Sequence, residues 1–126
     1  MADAILDYIT KYQGVSFAEL ERNIKGFAGG DIEWSLPKTN IVLWQGLTEE
    51  AVNALNLLRT GKHIHPNPCP VMIYLMDGLI PRLPVAKTAR PYKEPHWLPC
   101  VFNPGPTPDR PPARRIRLPK EPTAKA

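Results

Sequence analysis

The sequence predicts a small α+β domain, and three observations support this class. Apolar side chains recur at helical spacing in two short segments near the N-terminus and in a third segment over residues 48–60. Short runs rich in β-branched and aromatic residues lie between and after these segments. Sixteen prolines in 126 residues, most of them in the second half, exclude long central strands there. A chain of this length has room for one small hydrophobic core.

The first helix is predicted over residues 3–12. Ile5, Tyr8, Ile9 and Tyr12 follow one another at spacings of three and four residues, which places them on one helical face. A glycine at position 14 favours the end of this helix.

The second helix has the most specific local signal in the chain. Ser16 is expected to accept a hydrogen bond from the backbone N–H of Glu19, whose carboxylate reaches back to the N–H of Ser16. Val15 is placed to pack on Leu20 as a hydrophobic staple. The helix is predicted over 17–24, so only a very tight turn separates it from the first helix.

A loop and a strand are predicted next. Residues 26–39 contain a Gly-Gly pair and a proline at position 37, and this composition favours a loop. Residues 40–44 include β-branched and aromatic side chains and predict a short strand that Gly46 closes.

The third helix is predicted over residues 48–60. Thr48 is the expected N-cap, and Glu49 and Glu50 lie in the first turn, where the helix dipole favours negative charge. Arg59 suits the C-terminal turn, and Gly61 ends the helix.

A hairpin, extended segments and a tail complete the prediction. Residues 63–65 and 71–75 are expected to form a hairpin that Asp77-Gly78 closes. Residues 79–102 are expected to form extended pieces that complete a domain over 1–102. Residues 103–126 hold seven prolines and four arginines but few apolar side chains, so this Pro-rich tail is predicted to be disordered or polyproline-like.

The formal charge of +4 is unevenly distributed. Residues 1–58 carry four basic and eight acidic side chains, whereas residues 59–102 and 103–126 each carry six basic and two acidic ones. A polyanion would therefore meet the second half of the chain and the tail.

The order of two helices at a tight turn, a strand, a third helix and a hairpin over residues 3–77 resembles a winged helix-turn-helix domain. The resemblance implies binding to double-stranded DNA as a transcription-type regulator, with helix 48–60 as the recognition helix and the hairpin as the wing. The small size and the tail also resemble accessory proteins of phages and mobile elements. We therefore expect a cytoplasmic protein, in the host cytoplasm if it is phage-encoded; monomer and homodimer both remain open.

The expected DNA contacts come from polar and basic side chains. Asparagine can read adenine, and arginine and lysine bind guanine or phosphate. The predicted residues are Asn53, Asn56, Arg59, Lys62, His63, Asn67, Lys87, Arg90, Lys93, Arg114, Arg115 and Arg117. Glu49 and Glu50 would repel phosphates. The alternative that this side of the helix only faces solvent therefore remains. These glutamates also favour an alternative function, a protein-interaction module that binds a host enzyme complex through the acidic first half.

The histidines and cysteines allow two further kinds of site. His65 and Cys69 share the spacing His-x-x-x-Cys with His96 and Cys100, and together they would make a zinc site; the alternative is buried thiols and ordinary histidines. A cysteine with a histidine could form a nucleophile and base, but nothing nearby in the sequence favours a thiolate. We expect a binding protein without a cofactor rather than an enzyme. The sequence has no apolar run long enough to cross a membrane and no signal peptide.

Overall fold

Two three-stranded sheets and four helices make up the part of the chain, residues 1–88 and 90–107, that the computed structural model describes. Both sheets are mostly antiparallel, so the predicted α+β class is confirmed. No helix within these residues has the length and apolar character needed to cross a membrane. The elements in chain order are α1 (Ala2–Tyr12), β1 (Val15–Ser16), α2 (Phe17–Asn23), β2 (Ala28–Leu36), β3 (Ile41–Leu47), α3 (Glu49–Thr60), β4 (Ile64–Pro68), α4 (Met72–Asp77), β5 (His96–Trp97) and β6 (Cys100–Pro104).

The first two predicted helices are confirmed. α1 buries Ile5 and Ile9 completely, while Tyr12 at its end is 54% exposed. The capping box of α2 is present: the Ser16 hydroxyl accepts from the Glu19 N–H at 3.0 Å, and the Glu19 carboxylate accepts from the Ser16 N–H at 3.3 Å. The Ser16 hydroxyl also donates to the Asp77 carboxylate at 2.7 Å, which joins the start of α2 to the end of α4.

The third predicted helix is also confirmed, as α3. The Thr48 hydroxyl accepts from the Ala51 N–H at 3.1 Å and caps the helix. The same hydroxyl donates to the carbonyl of Gly26 at 2.6 Å, and this bond ties the helix start to the chain that leaves α2. α3 turns its buried side, which includes Leu55 and Leu58, toward the core.

The loop predicted over residues 26–39 is wrong, because most of this segment is strand β2, which pairs antiparallel with β3. Gly30 passes so close to β3 that a Cβ there would lie 2.1 Å from the carbonyl oxygen of Leu47. The Gly-Gly pair therefore permits close approach at an irregular, bulged pairing rather than ending the strand. β5 extends this sheet by pairing parallel with β3, giving the order β2–β3–β5. Gly46 lies within β3 instead of closing it.

The hairpin predicted from residues 63–65 and 71–75 is also wrong. β4 pairs with β6, about thirty residues later in the chain, and the run 72–77 is helix α4. Gly78 has φ of 77° and ends α4 in the left-handed conformation, so Asp77-Gly78 is a helix end and not a hairpin turn. β1 adds to the other side of β6, and the second sheet has the order β1–β6–β4.

The segment predicted as extended pieces contains β5, β6 and irregular chain. Trp97 and Phe102 are buried as expected, but Val85 is 44% exposed and only forms an isolated bridge with Trp97. β6 continues to Pro104. The proline-rich composition thus permits short strands at the places where the chain reaches the core.

Tyr74 on α4 connects the aromatic core. Its hydroxyl accepts from the backbone N–H of Phe17 at 3.0 Å and donates to the carbonyl of Cys100. Its ring lies 5.3 Å from the ring of Trp44 and 5.0 Å from that of Trp97. Tyr74 itself is fully buried. One side chain thus joins α2, α4, β6 and the β3–β5 pair.

We predict that Ser16→Ala lowers the free energy of unfolding by about 1–3 kcal/mol, because it removes the cap of α2 and the partner of Asp77. Urea denaturation followed by circular dichroism measures the change. The exposed Ser35 provides the matched control, since Ser35→Ala removes the same atom from the surface. Equal effects of the two substitutions would contradict a stabilising role of the cap.

We predict that Tyr74→Phe costs about 1–3 kcal/mol, because the buried N–H of Phe17 and the carbonyl of Cys100 lose their partner. Tryptophan fluorescence during urea denaturation is a suitable measurement, since two tryptophans lie against Tyr74. Tyr12→Phe, on the exposed side of α1, is the control. A change below about 0.5 kcal/mol for Tyr74→Phe would show that the hydroxyl contributes no more than a surface group.

Candidate nucleic-acid interface

Strand β2 lies against the exposed side of α3. The indole N–H of Trp34 donates to the side-chain oxygen of Asn56 at 2.9 Å, and the guanidinium of Arg59 lies 5.8 Å from the Trp34 ring centroid. Asn53, one turn earlier, is exposed. The oxygen of Asn56 keeps one lone pair that Trp34 does not use, so Asn56 would have to bind a base edge in the amide orientation that this hydrogen bond sets.

The segment that carries Lys87, Arg90 and Lys93 is organised around Tyr92, and all three cations are exposed. The hydroxyl of Tyr92 accepts from the backbone N–H groups of Lys87 at 3.0 Å and Thr88 at 3.3 Å. Hydrogen bonding with Thr88 lowers the pKa of Tyr92. These bonds hold the backbone of Lys87 and Thr88 against Tyr92; we call the described part of this cationic segment, residues 87, 88 and 90–93, the basic loop.

The basic loop is fastened to the turn between β2 and β3. The N–H of Tyr92 donates to the carbonyl of Thr39 at 2.9 Å, and the Asn40 side-chain amide donates to the carbonyls of Tyr92 and Lys93 at 2.9 and 3.1 Å. Asn40 adopts φ of 56°, a left-handed conformation that asparagine tolerates better than most residues. The loop therefore has a fixed position beside the turn that carries Lys38.

A continuous surface leads from this turn to the C-terminal end of α3. Leu36 and Pro37 line both a cleft that includes Arg59 and Lys62 and a neighbouring depression that includes Lys38. We use the name basic band for the cations of this surface, Lys38, Arg59 and Lys62, together with those of the adjoining basic loop, Lys87, Arg90 and Lys93. Two carboxylates interrupt it, since Glu33 lines the depression and Glu94 follows the basic loop. Four of the predicted contact residues and one that was not predicted thus share a surface with Arg59.

The sequence did not identify Lys38, because it lies in a segment that was predicted to be an ordinary loop. The one signal available was the neighbouring Asn40, a residue type that often takes the left-handed backbone conformation in tight turns. Without the pairing of β2 and β3, nothing in the sequence places Lys38 near either α3 or the basic loop.

The other predicted contact residues lie elsewhere. His63 is exposed just before β4, and its carbonyl accepts from the N–H of Gly105 at 2.7 Å. Asn67 is part of β4 rather than of a wing, and its side-chain oxygen accepts from the Asn103 amide at 2.8 Å. The structure thus assigns Asn67 a role in joining β4 to β6. Arg114, Arg115 and Arg117, with the rest of the predicted tail beyond residue 107, lie outside the described residues.

The alternative of a zinc site at His65, Cys69, His96 and Cys100 is not supported by the part of the chain that the structure describes. Within residues 1–88 and 90–107, no three His, Cys, Asp or Glu side chains come together in a way that would hold a metal ion. The Nδ1 atom of His65 lies 2.9 Å from the carbonyl oxygen of Gly105, and that of His96 lies 2.8 Å from the carbonyl oxygen of Glu94. Each imidazole therefore has a local backbone partner, and the shared spacing has no structural consequence.

Both cysteines are free thiols near the point where β4 and β6 pair. Burial raises the pKa of Cys69 to about 11 and that of Cys100 to about 12. Both groups are consequently protonated near neutral pH, and this protonation disfavours nucleophilic attack by either sulfur.

Comparison with known proteins adds no relative: the chain matches no family model, no curated protein and no solved structure. The geometry above is therefore the basis for the functional argument.

We predict that both thiols react slowly with Ellman's reagent in the folded protein. A pKa raised from 9.0 to about 11 lowers the thiolate fraction of Cys69 near pH 8 about 100-fold. Reaction in concentrated guanidinium chloride, where both thiols are exposed, provides the reference rate, and Cys69→Ala assigns the remaining signal to Cys100. Rapid labelling of the native protein would show that a thiolate is stabilised.

Proposed function

We propose that the protein binds double-stranded DNA mainly through its phosphate backbone, by means of the basic band. The observation that carries this proposal is that Arg59 and Lys62 line one cleft and Lys38 lines the adjoining depression, while the loop that bears three further cations is hydrogen-bonded to Thr39 and Asn40 of that depression. Phosphate contacts of this kind release condensed counterions and produce strongly salt-dependent binding. The basic loop is already ordered by the Tyr92 and Asn40 hydrogen bonds, so little conformational entropy is lost when it meets a phosphate.

The arrangement of elements supports a winged-helix character for this binding. α1, α2 and α3 precede an antiparallel strand pair, β4 and β6, and β1 adds to that pair. The hairpin β2–β3 between α2 and α3, and α4 between β4 and β6, are additions to the simple pattern. We propose that the hairpin moves the contact surface from the middle of α3 to its C-terminal end, because β2 covers the side of α3 that carries Asn56.

This geometry favours phosphate contacts over base reading. Glu49 and Glu50 occupy the first turn of α3, where a recognition helix usually meets base edges, and carboxylates repel the phosphates beside those edges. Two asparagines of α3 were predicted to read bases. Asn56 is hydrogen-bonded to Trp34, whereas the side chain of Asn53 is exposed and does not make that bond. A role as a transcription-type regulator of phage or mobile-element character belongs to the same proposal and requires site-selective binding through residues such as Asn53.

We predict that Lys87→Ala/Lys93→Ala weakens DNA binding and flattens its salt dependence. Loss of two phosphate contacts lowers the slope of log K against log salt concentration by about 1.8. The measurement is fluorescence anisotropy of a labelled mixed-sequence duplex, titrated with the full-length protein between about 50 and 200 mM salt. Lys11→Ala/Lys25→Ala is the matched control, since it removes the same two charges from helix α1 and from the chain after α2.

An equal loss in both double variants would indicate a non-specific effect of net charge and would contradict the basic band. Absence of binding by the unaltered protein at low salt would reject DNA as the ligand. Removal of residues 108–126 in a further arm measures the contribution of the tail arginines. If all binding disappears with the tail, the basic band is not the interface.

A protein-interaction module that modulates a host enzyme complex is the second proposed function, and the exposed apolar side of α4 favours it. Met72, Leu75 and Met76 are 51–80% exposed, and Ile80 follows at 49%. Met-rich surfaces adapt to varied partners, and exposed apolar groups at helical spacing are typical of protein contacts. A protein that fails to bind duplex DNA at low salt while retaining its fold would favour this function.

A further inference from the structure

We propose that the cleft between β2 and β4 binds an extended, acidic segment of a partner protein. β2 lies at the edge of the sheet β2–β3–β5, and β4 lies at the edge of the sheet β1–β6–β4. Trp34 to Pro37 form one wall of the cleft, and Ile64 and Pro66 form part of the other. A sheet edge can accept an added strand through backbone hydrogen bonds, and both of these edge strands contribute residues to the lining of the cleft.

The walls of this cleft are mainly apolar. Trp34, Leu36, Leu43, Ile64 and Pro66 contribute to a volume of about 460 Å³, which is within the range typical of ligand pockets. Side chains of an added strand point alternately to opposite sides, so every second residue of the segment would meet the apolar wall. The cleft therefore fits a segment with apolar anchors at alternate positions.

The two edges differ in their capacity for hydrogen bonding. β4 contains prolines at positions 66 and 68, which have no N–H group and which protect an edge against strand addition. The part of β2 in the cleft, from Trp34 to Leu36, has no proline. We assign the strand-accepting role to β2 and the packing role to β4.

Charge decides the chemistry of the occupant. Arg59 and Lys62 line the cleft, and within the described part of the chain no carboxylate lines it. Arg59 lies over the ring of Trp34, which favours a defined position for its charge at the apolar wall. Carboxylates in the segment would complement both cations. The arginine-rich tail of this chain is a poor occupant for the same reason, because its charge has the same sign.

This inference does not depend on DNA binding. The basic loop, which carries half of the basic band, lies outside the residues that line the cleft. Substitutions in the loop and in the cleft therefore separate the two ligands: Lys87→Ala/Lys93→Ala is expected to affect DNA alone, and Leu36→Glu is expected to affect the peptide.

The first experiment selects binders to the immobilised full-length protein from a random peptide library of about 12 residues, which is long enough to form an added strand. We expect the enriched sequences to contain apolar residues at alternate positions together with acidic residues. An enriched population without acidic residues, or no enrichment at all, would overturn the proposal. A labelled DNA duplex is then added as a competitor for the selected peptides. Peptides that bind outside the cleft would not compete with the duplex for Arg59 and Lys62.

The second experiment measures binding of one enriched peptide, made synthetically with a fluorescent label, to a set of variants. We expect Arg59→Ala/Lys62→Ala and Leu36→Glu each to weaken binding at least about 10-fold, because they remove the cations or add a repelling carboxylate. Lys11→Ala/Lys25→Ala is the matched control and should stay within about two-fold. In NMR spectra, the indole N–H signal of Trp34, which the Trp34→Phe variant assigns, should shift when the peptide is titrated into the protein. Unchanged affinity in the Arg59→Ala/Lys62→Ala variant would reject the cleft even if Leu36→Glu fails to fold, because Arg59 and Lys62 are exposed and their removal spares the core.

Discussion

The hydroxyl of Tyr74 is the interaction on which the arrangement of this domain depends. It is buried, it accepts from the N–H of Phe17 and it donates to the carbonyl of Cys100, so it satisfies backbone groups on two elements that are far apart in sequence. Burial raises the pKa of Tyr74, and the group therefore keeps the proton that it donates. A side chain without a hydroxyl at this position leaves two buried polar groups unpaired, which opposes the docking of α4 on α2 and β6.

The aromatic core around Tyr74 also joins the two sheets. The ring centroid of Phe17 lies 5.0 Å from that of Phe102 in one sheet and 5.5 Å from that of Trp44 in the other. The aromatic cluster that Tyr74 completes therefore holds the two sheets together. A further contact, between Trp34 and Phe102 at 5.8 Å, brings β2 near the β4–β6 pair. The cleft between β2 and β4 is thus a consequence of core packing. Its cations are then supplied by the end of α3, the helix that Trp34 also contacts.

The parts of the fold that the sequence predicted are those specified by neighbouring residues. The Ser16 and Thr48 caps act within three residues of themselves, and the helices that they begin were placed correctly. β2 was missed because its glycines oppose a strand on local grounds. Only the approach to Leu47 explains Gly30, and only a φ of 97° explains Gly29. The pairing of β4 with β6 joins residues about forty positions apart, as in Ile64 and Pro104, and no local pattern encodes it. The same limit applies to the candidate sites: five of the six cations of the basic band were identified, but Lys38 and the link between the loop and α3 depend on the turn after β2.

The two proposed ligands meet at Arg59 and Lys62, and this overlap has a consequence of its own. An acidic segment in the cleft would neutralise two of the six cations of the basic band, while the basic loop would remain free. Because each phosphate contact contributes separately to salt-dependent affinity, DNA binding would be weakened rather than abolished by such a partner. The linkage is reciprocal, so bound DNA would lower the affinity for the acidic segment by the same factor. Arg59, which lies beside Trp34, is a contact at which a duplex and an extended peptide would require the same positive charge.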